Sequence, residues 1–474
     1  MQVRQSDVLA LAARYLRELA APAAGSSSPA APDIAAAAAC LERDLGSHGV
    51  AARIHEHGAG RISLVARLRA ARPGRAVTPA FGHAAVIDGP LLLTAALDRD
   101  GAGAHGRAPA AVFAAIAAQI GRTGLELRRD VILTLTAGGG ADRGAAGHAR
   151  LPADHAWEIE EMKAGAALTG GGWSLRVMGR SFQAYQHAEL GRAVFYLIAR
   201  GRPGNACPDG NHPIILLGKA LAALGRWECP VHVTPGFQAC VEALAAPHAI
   251  PASSYVRSLL NPLLTREAVS RVVRDPRNKG RLMAQASNSF RPTSLSALCS
   301  QEGQPGSAEA TIECRLLPGQ TAATARAELE ELLRGSELPT RESDGCWLDL
   351  VTAGESPALE SPPHTELTRA MERALRRRRP GIALVPVMDA ADTGAGRLRS
   401  LGIPVYGFFP GTFAAPRSGE GRPAGRRADA ASKGGEPRSP RGLELAAHVL
   451  WDVVALYAGA SEAVAQATAP VQRS

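Results

Sequence analysis

The chain has 474 residues, 46% of them hydrophobic, 20% charged and 4% aromatic, with a net charge of +9 and a pI near 9.5. That length exceeds one compact core and points to two domains or one with a large insertion, and no apolar run reaches the length of a membrane span. The positive balance reads as solubility: its densest run, Arg376–Arg379, closes a predicted helix whose dipole it complements, and no aromatics are interleaved with it, so nucleic acid is not an expected partner.

The opening stretch reads as an amphipathic helix and not a signal peptide, with Leu9, Ala12, Leu16 and Leu19 on one face and Ser6 or Asp7 as cap. A second helix follows Asp33, with Ile34, Ala38, Leu41 and Leu45 on one face. Ile62, Leu64, Ala66 and Leu68 alternate with polar neighbours as in a strand. A short apolar strand begins at Leu91–Leu93, a helix covers 109–122, and Val131–Leu135 is a further strand. This β–α–β order predicts a mostly parallel sheet covered on both faces.

The rhythm changes near residue 183. Strands are predicted at Val194–Ala199, Ala310–Cys314 and Trp347–Val351, helices at Pro213–Leu224 and 321–334, and mainly helix over 235–290. The α/β rhythm resumes with a helix around Leu367–Leu375, a strand at Ile403–Phe409 and a last helix at Leu443–Tyr457; 411–441 reads as a Gly/Arg/Pro/Ser loop and 459–474 as a tail. The expected architecture is therefore a discontinuous α/β domain over 1–183 and 353–474, with an inserted α+β domain over 184–352. Seven widely spaced cysteines, with no Cys-x-x-Cys pair, predict reduced thiols and a cytoplasmic protein.

Four segments, in this order, resemble the zinc aminoacylase, carboxypeptidase G and succinyl-diaminopimelate desuccinylase group, the M20-type peptidases: RRDVILTL, AELGRAVFYLIARGRPG, EATIECRLLPGQT and SLGIPVYGFFP. The resemblance covers about residues 7–458. It implies a metallopeptidase-like domain carrying an inserted lid or dimerisation domain, a homodimer formed through that insertion, and an amide or amino-acid-like ligand in the cleft between domains. In active relatives it also implies two zinc ions bridged by a carboxylate, with a glutamate as general base.

Carried over position by position, the resemblance implies that the site chemistry is altered. Ala96 stands where the first metal-binding His belongs, leaving Asp98, normally the partner of that His, as a strand-end carboxylate. His105 stands at the bridging Asp, Gly138–Gly140 at the Asp-Glu-Glu triplet with Gly139 and Gly140 replacing base and ligand, Thr169 at the carboxylate before paired glycines, and Ser432 at the last His, four residues before Glu436. Asn205 occupies the position of the lid-domain His, where it could still donate to an oxyanion, and His212 follows it; Arg315 matches the lid-strand Arg, with a structural and a carboxylate-binding role both open. Neutral hydroxyls are poor zinc ligands, so no metal or other cofactor is expected. Two-zinc hydrolysis is expected to be lost, leaving a ligand-binding pseudoenzyme or a repurposed metal-independent enzyme. The remaining cleft candidates are Asp98, His105, Asn205, Arg315 and Glu436. The alternative is an active zinc hydrolase of N-acyl amino acids or peptides whose ligands lie elsewhere.

Overall fold

The computed structural model describes residues 5–20, 34–57, 62–71, 89–97, 107–137, 163–201, 212–299, 305–340, 346–389, 395–410 and 440–459. The chain forms two compact units: Met1–His187 with Ser361–Val387 and Ala391–Ser474, and Ala188–Glu360 with Met388–Ala390. In chain order the first unit begins with α1 (Gln5–Ala20), α2 (Ile34–Ser47), β1 (Ala52–Glu56), β2 (Ile62–Leu68), β3 (Leu91–Ala96), α3 (Arg107–Thr123), β4 (Val131–Ala137), β5 (Ala166–Thr169), β6 (Ser174–Val177) and β7 (Arg180–Glu189). Then come β8 (Gly191–Gly201), α4 (Pro213–Arg226), α5 (Pro235–Ala245), α6 (Ala252–Arg257), α7 (Thr265–Val272), α8 (Pro276–Met283), β9 (Ser289–Cys299), β10 (Pro305–Leu316), α9 (Ala322–Gly335), β11 (Cys346–Ser356) and β12 (Leu359–Glu360). The chain closes with α10 (Glu366–Arg378), β13 (Ala383–Asp389), α11 (Ala395–Ser400), β14 (Val405–Gly407) and α12 (Pro440–Ala458).

The large sheet has the strand order β1-β2-β4-β3-β5-β14-β7-β12, with β6 and β13 also pairing to β7. Its middle, β4-β3-β5-β14, is parallel, whereas β2 and β7 flank it antiparallel. The central strands LLLTAA and VILTLTA are nearly continuous apolar runs, as strands covered on both faces must be. On one face Leu91, Leu93, Val131, Leu133 and Leu168 pack with Tyr15, Leu41, Phe113, Met371 and Trp451 of α1, α2, α3, α10 and α12. On the other face Leu92, Ile132, Ala167 and Val405 pack with Leu398 of α11 and with Ile403. Polar ties join the helical layer: Asp44 of α2 accepts from Arg14 and Tyr15 of α1, and Glu366 pairs with Arg128 and Arg129 at 2.5 Å each. The arginine run that closes α10 does more than complement a dipole, because Arg378 reaches Asp452 of α12 at 2.9 Å.

The second unit contains an antiparallel sheet in the order β11-β8-β10-β9. One face, with Phe195, Leu197, Ala310 and Ile312, packs on Leu216 of α4 and Leu329 of α9. Buried Glu328 of α9 hydrogen-bonds His232 Nε2 at 2.7 Å and accepts from Asn288 Nδ2 at 3.1 Å, so its carboxylate enters the interior already partnered.

Several predicted elements differ in extent. The helices expected over 235–290 stop at Met283, and β9 follows. Its residues 291–297 are exposed and include Pro292, so the strand lacks the one-sided burial that makes an alternating pattern. The strand expected at Ile403–Phe409 is regular only over Val405–Gly407. The change of rhythm placed near 183 lies within β7, whose residues to His187 belong to the first unit. The Asp33 cap, the loop over 411–439 and the tail from 460 lie outside the described residues.

Candidate functional site

In an open α/β sheet, ligands bind beyond the carboxyl ends of the parallel strands. Ala96 ends β3 and Thr169 ends β5. These two strands are neighbours, with Thr94 opposite Thr169, and on its other side Ala96 pairs with Thr136 of β4. The two expected ligand positions that the structure describes therefore sit on adjacent strand ends of one sheet. Side chains alternate along a strand. Ala96 and Thr169 consequently share the face that carries Leu92, Ala167 and Val405.

The same register lines up residues that reading along the chain did not single out. One step beyond the floor of Ile132, Leu92, Ala167 and Val405, the pairings Thr134–Thr94, Thr94–Thr169, Thr169–Gly407 and Gly407–Gln186 run across five strands, β4, β3, β5, β14 and β7. Thr134, Thr169 and Gln186 are buried and Thr94 is half-buried. Neither Thr134 Oγ1 nor either carboxamide atom of Gln186 has a hydrogen-bond partner among the described residues. The Gln186 side chain leans from β7 over Gly407: a Cβ at Gly407 would stand 2.7 Å from its Oε1 and 3.0 Å from its Cβ. Only a residue without a side chain leaves that path open. The loop after β5 turns through Gly171 and Gly172, both at positive φ, and Phe409 N–H donates to Gly171 O at 2.8 Å.

On the opposite face of β7, His187 is buried with its Nδ1 3.1 Å from Ser361 O. Burial, with the Arg399 charge nearby, lowers its pKa to about 4 despite that hydrogen bond, which keeps it neutral at physiological pH. Arg399 is itself engaged, donating to Val405 O at 2.8 Å and Ser361 Oγ at 3.1 Å.

Arg315 lies in β10 of the second unit. It pairs with Glu313 at 2.9 Å, and Glu313 is also approached by Arg192 of β8 at 3.3 Å. Glu313 thus sits between Arg315 of its own strand and Arg192, which stands opposite Arg315 on β8. His212 caps α4, its Nδ1 accepting from Ile214 N–H at 3.3 Å. Asp98, His105, Gly138, Gly139, Gly140, Asn205, Ser432 and Glu436 lie outside the described residues.

A pair of divalent cations needs several charged or imidazole donors. Ala96 has no donor atom and Thr169 offers one neutral hydroxyl, so the two described positions do not fit such a pair. Among the described residues no group of three or more His, Cys, Asp or Glu is placed to hold a metal.

No protein-family model matches the chain, and no curated protein matches it. Solved structures do. Aminopeptidase PepT from Bacillus cereus aligns over 95% of this chain and 99% of its own, at 12% identity and a TM-score of 0.55. Human carnosine dipeptidase 1 aligns over 95% and 96%, at 12% identity and 0.53. An M20 family metallo-carboxypeptidase from Sulfolobus solfataricus aligns over 95% and 99%, at 14% identity and 0.53. The chain has the fold of the M20 metallopeptidases. The expected mostly parallel sheet is present, and a separate antiparallel sheet lies in the second unit. At 12–14% identity the likeness is one of architecture, and what the strand ends carry must be argued from this chain's own side chains.

Proposed function

We propose that this protein is a metal-independent member of the M20 fold that binds a small amide or amino-acid-like molecule at the carboxyl ends of β3, β4 and β5. The observation that carries the reading is the placement of Ala96 and Thr169 at the carboxyl ends of two neighbouring strands, β3 and β5. They occupy expected ligand positions without a charged or imidazole donor between them. Gly139 and Gly140, read from the sequence, remove the base and a further ligand in the same proposal. Loss of a general base alone typically costs about 10²–10⁴ in rate.

The expected result is less than a tenth (roughly) of one zinc per chain by mass spectrometry on protein purified without chelator. No turnover of N-acyl amino acids or dipeptides is expected with or without added zinc. Two zinc ions per chain together with cleavage of such substrates would establish the conventional hydrolase instead. A new turnover in zinc-free protein would favour a repurposed enzyme over a pure binder.

We further propose a cytoplasmic homodimer formed through the second unit. Among the described residues the β9 strand pairs with β10 on one side only, and Leu295 on it is 68% exposed. An open strand edge of this kind is a template for pairing. Cys40, Cys229, Cys240 and Cys314 are free thiols, in keeping with a reducing compartment. Among the described residues no helix is long and apolar enough to cross a membrane. Sedimentation at tens of micromolar (roughly) is expected to show a dimer, and Leu295→Lys is expected to shift it toward monomer by placing a charge on the edge. A wild-type chain that sediments only as a monomer overturns this part.

A further inference from the structure

The polar row across the sheet has no role in metal chemistry, and its composition specifies what it would hold. Thr134, Thr94, Thr169 and Gln186 are in register on β4, β3, β5 and β7, with Gly407 of β14 between the last two. Neighbouring strands lie about 4.8 Å apart, so a single small ligand group lying over the row meets at most two adjacent members of it. The carboxamide of Gln186 leans over Gly407, the residue that pairs with Thr169, and its Oε1 also lies close to Gly171. Below the row the floor is apolar.

Native interiors leave few buried polar groups unpaired, because each costs the desolvation of that group with nothing in return. Gln186 is fully buried with neither carboxamide atom partnered among the described residues, and Thr134 Oγ1 stands likewise. Apolar side chains of the same size would serve a purely structural layer better. The row opens at Thr94, which is half-buried. None of its members carries a charge; Arg399 of α11 directs its Nε and one terminal nitrogen to Ser361 Oγ and Val405 O. An unpaired charge buried there would lose its hydration uncompensated. A neutral planar group with one donor beside one acceptor would instead pair with the Gln186 carboxamide and still meet the Thr169 hydroxyl.

We propose that the row Thr134–Thr94–Thr169–Gln186 is a binding shelf for an uncharged donor–acceptor group of a small molecule, the primary carboxamide being its simplest form, with Gln186 as the anchoring residue. This rests on the reading of the same strand ends as metal-free, and it adds the chemical class of the ligand.

The test follows the side-chain amide resonances of Gln186 in isotope-labelled protein, assigned by their loss in Gln186→Leu, during titration with acetamide and separately with acetate. Saturable shifts with acetamide are expected, and none with acetate. Thr169→Val keeps the shape and removes one hydroxyl, and should weaken the acetamide response about two- to tenfold. Gln186→Leu should abolish acetamide binding, read at the neighbouring backbone amides, while leaving the protein at least as resistant to urea as the wild type. Gly407→Ala, which pushes the carboxamide aside, should weaken the response as well. No saturable shift with acetamide, an equal shift with acetate, or an acetamide response unchanged in both Thr169→Val and Gln186→Leu overturns the proposal. Metal content separates the two readings. Protein that carries zinc yet responds to acetamide keeps the shelf and loses the metal-free function; zinc-free protein that does not respond loses only the shelf.

Discussion

Gly172→Ala is expected to destabilise the first unit by about 3 kcal/mol or more, the sum of a left-handed backbone penalty and an overpacking penalty. Gly172 has φ +75, and a Cβ there would lie 2.2 Å from Ala184 O and 3.1 Å from Ala184 C. Both atoms are backbone, and Ala184 N–H already donates to Trp173 O at 2.7 Å. The obstacle therefore cannot swing away as a side chain would. It lies where the end of β5 turns back toward β7, so the strain falls on the segment that carries Thr169 and faces Gln186. Gly179→Ala is the control. Gly179 also has positive φ, +84, in the two-residue turn between Val177 and Arg180, but nothing lies within 4 Å of its Cβ direction. That variant should lose only about 1–2 kcal/mol. Urea unfolding of the two side by side decides the matter: if Gly172→Ala costs no more than Gly179→Ala, the close packing of this turn has been misjudged.

Arg378→Met should cost about 3–5 kcal/mol at pH 7, the usual loss when one partner of a buried ion pair is removed and the other charge stays behind. Asp452 is the group left behind, with Arg377 as a remaining cation acting on it. Its side chain is 1% exposed in α12, and Arg378 donates to its Oδ2 from Nε at 3.0 Å and approaches from the terminal nitrogen at 2.9 Å. Burial raises the Asp452 pKa above the ordinary 3.8 and outweighs the opposing pull of Arg378. A carboxyl whose pKa is higher folded than unfolded favours folding when protonated. That contribution is complete below the unfolded pKa of 3.8 and is lost as pH rises through the folded value. Without Arg378 the folded pKa rises further, so the deficit of the variant should be largest at neutral pH and shrink steadily toward pH 4. Unfolding measured at both ends of that range tests the sign as well as the size. An equal loss at pH 7 and pH 4.5 would mean that the carboxylate is not isolated by removing its partner.

Local pattern alone determined a good deal of this protein. Continuous apolar strands such as Val131–Ala137 declare burial on both faces, and the helical spacing of Leu367, Met371, Ala374 and Leu375 declares one face of α10. The order of such elements was enough to anticipate a mostly parallel sheet covered on both faces and an inserted α+β domain. The chemical poverty of Ala96 and Thr169 is likewise a property of residue type and needs no coordinates. What the chain could not reveal by itself is register. Thr94, Thr134 and Thr169 look like ordinary β-branched strand formers, and Gln186 sits in SFQAYQHAE, where buried glutamines and a histidine blur any alternation. They become one polar row only because strands distant in sequence pair at particular residues, a choice made by packing on both faces of the sheet. The same holds for Arg378, which reads as one of a run of surface arginines until the packing of α10 on α12 gives it the buried Asp452. Composition and periodicity report what each segment can bury; which buried groups meet depends on contacts between segments far apart in the chain, and those exist only in the folded structure.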